Sequence, residues 1–128
     1  TTCRPGLRER VRTLLDRGEY FEAHAPQSLA IEGAEAAAEW VHARLRRAWG
    51  FPDPAGLPLA DVLKAKYRGL RVSFGYPACP RLEDQATLFG LLDPPSIGVT
   101  LTDGFMMEPE ASVSALVFHH PDAKYFSV

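Results

Sequence analysis

Arg71 and Tyr76 stand five residues apart in the stretch RVSFGYPACP (71–80). A guanidinium presents a planar fork that matches a carboxylate bidentately, and a tyrosine adds a flat apolar face with a polar tip. Pro77 and Pro80 on either side of Ala78-Cys79 exclude a helix and spoil a central strand. With Gly75 they predict a rigid loop, the kind of segment on which sites are built. A second group, Glu35, Glu39, His42 and Arg46, recurs at helical spacing and reads as a solvated salt ladder.

Other reactive side chains are placed less favourably. His119 and His120 are adjacent, so in a strand they point to opposite faces and cannot share a metal. Cys79 lies among prolines and reads as a packed thiol without a positioned base. Ser112 and Ser114 share one strand face but have no nucleophile elbow, and they read as small residues beneath a bulky neighbour. GLRVSFG (69–75) lacks the glycine spacing and the lysine of a phosphate loop. Hydrolysis and metal binding therefore find no support.

The elements that must position Arg71 and Tyr76 can be read from periodicity. Residues 5–17 predict a helix with Leu7, Val11, Leu14 and Leu15 on one face and Gly18 as its stop. A longer helix is expected from about Gln27, or before Pro26, to Trp49, with Ala34, Ala38, Val41, Leu45 and Ala48 as a narrow small-residue stripe. FPDPAGLP (51–58) is a loop, followed by a short helix over 59–67 and a strand over 70–74 that carries Arg71. Residues 82–92 predict another amphipathic helix, ended by Asp93-Pro94-Pro95. Short β-rich runs at 99–101, 104–107 and 112–118 follow, then a turn at Pro121-Asp122 and a final extended piece. Helices first and strands later predict an α+β fold, an antiparallel sheet packed with helices.

Composition narrows the classes. The 128 residues suit a single domain over 1–128, with 46% hydrophobic and 23% charged residues. A formal net charge of −2 gives no basic field for nucleic acid or an anionic membrane. No apolar run has the length of a membrane span, and no signal-peptide pattern is present. Cys3, expected in a loose terminus, and Cys79 form no disulfide or zinc pattern, so a reducing cytoplasm is the expected location.

The sequence resembles the C-terminal activation domain of cobalamin-dependent methionine synthase. YRGLRVSFGYPACP (67–80) carries that family's Arg-x-x-x-Gly-Tyr signature followed by Pro-Ala-Cys-Pro. LTDGFMMEPEASVSALVFHHPDAKYFSV (101–128) is similar to its closing run, and AEAAAEWVHARLR (34–46) to its Ala-Glu-Ala helix. The resemblance implies a domain that binds S-adenosylmethionine beside a cobalamin-binding domain of the same enzyme. It implies reductive methylation of cob(II)alamin to methylcobalamin, with a flavodoxin-like electron donor, as a domain of a methyltransferase that is not active alone. The signature arginine falls on Arg71, implied to bind the ligand's carboxylate, and its tyrosine on Tyr76, implied to lie near both ligand and corrin, where the chemistry occurs. Glu35 is implied to face a cationic ligand group and Tyr125 the nucleoside end, with main-chain groups at Val72 and Ser73 contributing.

The chain also departs from that pattern. The family's upstream Asp-Trp-Thr-Pro-Phe segment, with another ligand-binding acid, has no counterpart; a second family tyrosine is replaced by Phe126; and SLAIEG (28–33) matches the family helix poorly. A compact or truncated form of the domain, from the C-terminal part of a larger chain, is expected. Two rival expectations are a stand-alone S-adenosylmethionine-binding module without a cobalamin partner and a helical interaction scaffold.

Overall fold

The computed structural model describes residues 1–3 and 6–125. The helix start expected at Pro5, and the part of the closing extended piece from Phe126 onward, lie outside the described residues. The order is α1 (Leu7–Asp16), α2 (Tyr20–Ala48), α3 (Leu59–Val62), β1 (Leu70–Ser73), a 3₁₀ turn (Leu82–Asp84), α4 (Gln85–Leu92), a second 3₁₀ turn (Pro94–Ile97), β2 (Thr100–Leu101), β3 (Met107–Glu108) and β4 (Ala115–Phe118). The α+β expectation is met, with one difference in the sheet. The strands form two separate antiparallel ladders, β1 with β4 and β2 with β3.

The chain divides into two compact units, residues 1–38 with 82–114 and residues 39–81 with 115–128. In the first unit the N-terminus is tied down, contrary to the loose end expected. Cys3 N–H donates to the Ala111 carbonyl at 2.9 Å, Val113 N–H donates to Thr1 O at 2.8 Å, and the Thr2 and Ser112 hydroxyls meet at 2.8 Å. Gln85, 2% exposed at the start of α4, donates to the Phe105 carbonyl at 2.9 Å and accepts from the Ser114 hydroxyl. Both ends of the buried amide are thus satisfied, as burial requires. Ser114 is a hydrogen-bonding residue rather than a spacer.

α2 starts at Tyr20, in keeping with the expected alternative of a start before Pro26, and runs through that proline. Its buried line is Ala30, Ala34, Ala38, His42 and Arg46, so the alanine stripe continues into His42 and Arg46 while Val41 and Ala48 are exposed. A strict four-residue step overshoots the helical turn by about 40° each time, so this line winds around the helix. The lower half of the supposed solvated ladder is therefore buried.

α3 stops at Val62, well short of the helix expected over 59–67. Ala65, at φ 52, adopts a left-handed conformation that no helix can contain, and Tyr67 is released into an irregular segment. The strand expected over 104–107 is instead a turn, with Phe105 at φ 60 and Phe105 N–H donating to Thr102 O. Met107 and Glu108 then pair with Thr100 and Leu101. Of the run 112–118 only the last four residues pair with β1, in the register Leu70 with Phe118 to Ser73 with Ala115.

Gly69 sets that pairing. It sits at φ 91, and a Cβ built on it would lie 2.4 Å from the Phe118 carbonyl oxygen and 3.3 Å from His119 Cα. Both obstacles are backbone, so nothing flexible can give way. Gly69→Ala should destabilise the chain by about 2–3 kcal/mol, the sum of a strained dihedral and a forced strand separation. Gly56→Ala is the control, because Gly56 has φ 78 with nothing within 4 Å. Urea midpoints of the two variants check this, the expectation being a clearly larger loss for position 69.

Candidate functional site

The second unit contains a cluster of charged and polar side chains centred on Glu39. Arg46, 1% exposed, is the base of it. Its Nε and Nη2 donate to Asp53 Oδ1 and Oδ2, each at 2.6 Å, in the parallel fork that gives arginine–carboxylate pairs their strength. Asp53 comes from the proline-rich loop after α2. The guanidinium also lies 3.7 Å from the centre of the Tyr67 ring, and its Nη2 is 3.6 Å from Glu39 Oε1.

Tyr67 joins these groups to the rest. Its hydroxyl donates to Glu39 Oε2 at 2.9 Å, and its ring meets the His42 ring edge-on at 5.1 Å. Burial, and then the bond to Glu39, push the phenol up to about 12, so it remains a donor at all ordinary pH values. Glu39 Oε2 is also 3.8 Å from Arg71 Nη2, and the Arg71 side chain is 20% exposed. One carboxylate thus serves a phenol and two guanidinium groups.

His42 is 1% exposed and holds neither ring nitrogen in a hydrogen bond among the described residues. Burial, with the charges of Arg46 and Arg71 added, lowers it from 6.5 to about 4 against an opposing contribution from Asp53. It is therefore neutral at physiological pH. An unfolded chain binds that proton first, so this contribution to stability is complete above pH 6.5 and is lost as pH falls toward 4. His42→Leu should flatten the stability–pH curve across that window, at little cost at pH 7 because no hydrogen bond is broken. Urea unfolding at pH 7.5, 6, 5 and 4.5 checks the slope; equal slopes in both proteins would refute the assignment.

Arg71 lies on β1 opposite Val117. Among the described residues β1 has a strand on one side only, and because neighbouring residues of a strand turn their main-chain groups to opposite edges, one of Val72 and Ser73 presents its N–H and C=O to the open edge. Val72 itself is buried, at 4% exposure. The loop that follows is a tight turn. Cys79 N–H donates to Tyr76 O and Gly75 N–H to Cys79 O, both at 2.8 Å, with Pro77 in the second turn position that proline favours. The Tyr76 ring is 60% exposed on this fixed frame.

Of the residues singled out from the sequence, the second unit contains Arg71, Val72, Ser73, Tyr76 and Tyr125, the last 45% exposed. Glu35 is exposed on α2 and belongs to the first unit. Sequence reasoning did not assign Glu39, Asp53 and Tyr67 to the site. The four-residue recurrence of Glu35 and Glu39 carried the signal for the first; only the fold brings in the other two. A cavity of about 600 Å³ in the first unit is lined by Leu7, Val11, Gln27, Ile31, Glu108 and Ala111 among others, and by none of these site residues. Among the described residues no group of three potential metal ligands occurs, and no helix is long and apolar enough to cross a membrane.

These features match one family of domains. The model of the vitamin B12 dependent methionine synthase activation domain matches residues 1–128, and the chain belongs to that family. It is 43% identical over 118 residues to methionine synthase of Mycobacterium tuberculosis, covering 86% of this chain and 10% of that protein. It is 41% identical over 118 residues to methionine synthase of Mycobacterium leprae, covering 86% of this chain and 9% of that one. The chain thus spans about a tenth of the length of these curated relatives. A crystal structure of the MetH reactivation domain bound to AdoHcy superposes with a TM-score of 0.88 at 34% identity, over 94% of this chain and 38% of that one.

Proposed function

We propose that the chain binds S-adenosylmethionine and acts as the reactivation module of a cobalamin-dependent methionine synthase. The observation that carries this reading is the likeness to a reactivation domain solved with AdoHcy, over nearly the whole chain; Arg71 on β1 and Tyr76 in the turn that follows are the side chains it offers for the ligand. S-adenosylhomocysteine is S-adenosylmethionine without its transferable methyl group, so the two share every group that a site would recognise apart from the sulfonium.

The donor set fits such a ligand. The partly exposed Arg71 guanidinium would take the carboxylate in a forked pair, and the exposed Tyr76 ring would lie along the ligand. The edge of β1 at Val72 and Ser73 would supply main-chain donors and acceptors, and Tyr125 would meet the nucleoside. Glu35 would attract the cationic end. Cobalamin would be held by a neighbouring domain of the same enzyme, with a flavodoxin-like protein as electron donor in the cytoplasm. Bound S-adenosylmethionine supplies the methyl group for reductive methylation of cob(II)alamin; this chain's part is to bind, orient and shield.

Calorimetry tests the reading. The unaltered chain should bind S-adenosylmethionine, and Arg71→Ala should weaken binding by about 2–5 kcal/mol, the cost of leaving one side of a charge pair unmatched. Arg71→Lys should recover little, since a point charge cannot reproduce the fork. Unchanged affinity in Arg71→Ala would remove the residue from the site.

Tyr76→Phe keeps the ring and loses only the hydroxyl. Its S-adenosylmethionine affinity should stay within about threefold of the unaltered chain, because face contact rather than the polar tip dominates. Reductive methylation should slow when the cobalamin domain is supplied, as followed by the cobalamin absorbance. A large loss of affinity with normal methylation would invert the role given to Tyr76.

A further inference from the structure

We infer that Glu39 is a positioning residue for ligand recognition: it holds the Arg71 guanidinium where a carboxylate can dock. This rests on the reading of Arg71 given above and goes beyond it, because Glu39 would touch no ligand. Three observations carry it. Glu39 Oε2 is the carboxylate oxygen 3.8 Å from Arg71 Nη2, close enough to attract the cation and too far to occupy one of its N–H groups in a hydrogen bond. The same oxygen accepts from the Tyr67 hydroxyl at 2.9 Å, which orients the carboxylate. Glu39 Oε1 faces Arg46 Nη2 at 3.6 Å, and Arg46 is fixed in turn by its fork to Asp53.

The other arginine cannot compete for the ligand. Arg46 is 1% exposed and saturated on its Nε–Nη2 side by Asp53, whereas the Arg71 side chain reaches the surface. Asp53 therefore matches Arg46 through its fork, while Glu39 lies within ion-pair distance of Arg71 as well. His42 adds no positive charge between them, being neutral. A guanidinium on a long flexible stem loses rotamer freedom on binding, and a supporting carboxylate lowers that loss in advance. A fixed second partner of this kind is what keeps a recognition group within a fraction of an ångström of its working position.

The test uses the 128-residue chain with two ligands and one measurement without ligand. Glu39→Gln should weaken S-adenosylmethionine about tenfold, Glu39→Asp less, and Tyr67→Phe about threefold. The same variants should leave 5′-methylthioadenosine, which has the nucleoside and thioether but no amino-acid end, within about twofold of the unaltered chain. In the unliganded chain, ¹⁵N relaxation should show the Arg71 side chain more mobile in Glu39→Gln and in Tyr67→Phe, with unaltered melting of the milder Tyr67→Phe variant ensuring a folded comparison.

Equal weakening of both ligands would make Glu39 a support of the fold alone and overturn the proposal. So would unchanged Arg71 mobility, or unchanged S-adenosylmethionine affinity in Glu39→Gln while Arg71→Ala loses it; in that last case the role of Arg71 stands without Glu39. If Arg71→Ala itself binds normally, the reading of Arg71 falls and this inference falls with it.

Discussion

The burial of Arg46 is the constraint around which the second unit is organised. A guanidinium at 1% exposure cannot shed its proton, so it must be matched in charge and in hydrogen bonds. Asp53 matches it from a loop, Glu39 from nearly two turns earlier on the same helix, and Tyr67 covers its flat face. Each of these demands fixes a piece of chain. The loop after α2 must return so that Asp53 meets the fork, and α3 must end early so that Tyr67 leaves the helix. The strand that begins three residues after Tyr67 then brings Arg71 beside Glu39.

Such a cluster is not a source of great stability. Desolvating several charges costs about as much as their mutual attraction returns, so an apolar core of the same shape could be as stable. Its value lies in specificity of arrangement. A methyl group tolerates many neighbours at many angles, while a forked ion pair at 2.6 Å tolerates one geometry. The apolar core elsewhere is built largely of alanines and a few valines, which permit close packing but define little by themselves.

Much of this was legible in the residues, and the exceptions have physical causes. The turn 75–79, the loop 51–58 and the strand that carries Arg71 follow from glycine, proline and β-branched residues whose preferences are local. The α+β class and the family signature were equally open to reading. The end of α3 was not, because Leu59 to Tyr67 has an apolar spacing that a helix would satisfy and only the left-handed Ala65 interrupts it. The buried face of α2 was misjudged beyond Ala38 for a different reason. Hydropathy assigns His42 and Arg46 to solvent, and nothing local announces that Asp53 and Tyr67 will arrive to receive them. The N-terminus, too, is held by residues more than a hundred positions away.

The placing of Glu39 and Arg46 on one face of α2 has a consequence for how such a chain can vary in length. Within the second unit, inserting or deleting one residue between Glu39 and His42 would rotate the helix face beyond it by about 100°. Glu39 could then no longer share a face with Arg46, whose fork to Asp53 would turn with it, and Tyr67 could not cover the one while bonding the other. Loops absorb added residues at small entropic expense, so the part of the proline-rich loop beyond Asp53, residues 54–58, is open to insertion. Substitutions are tolerated along the exposed side of α2, but its residue count between Glu39 and Arg46 is fixed.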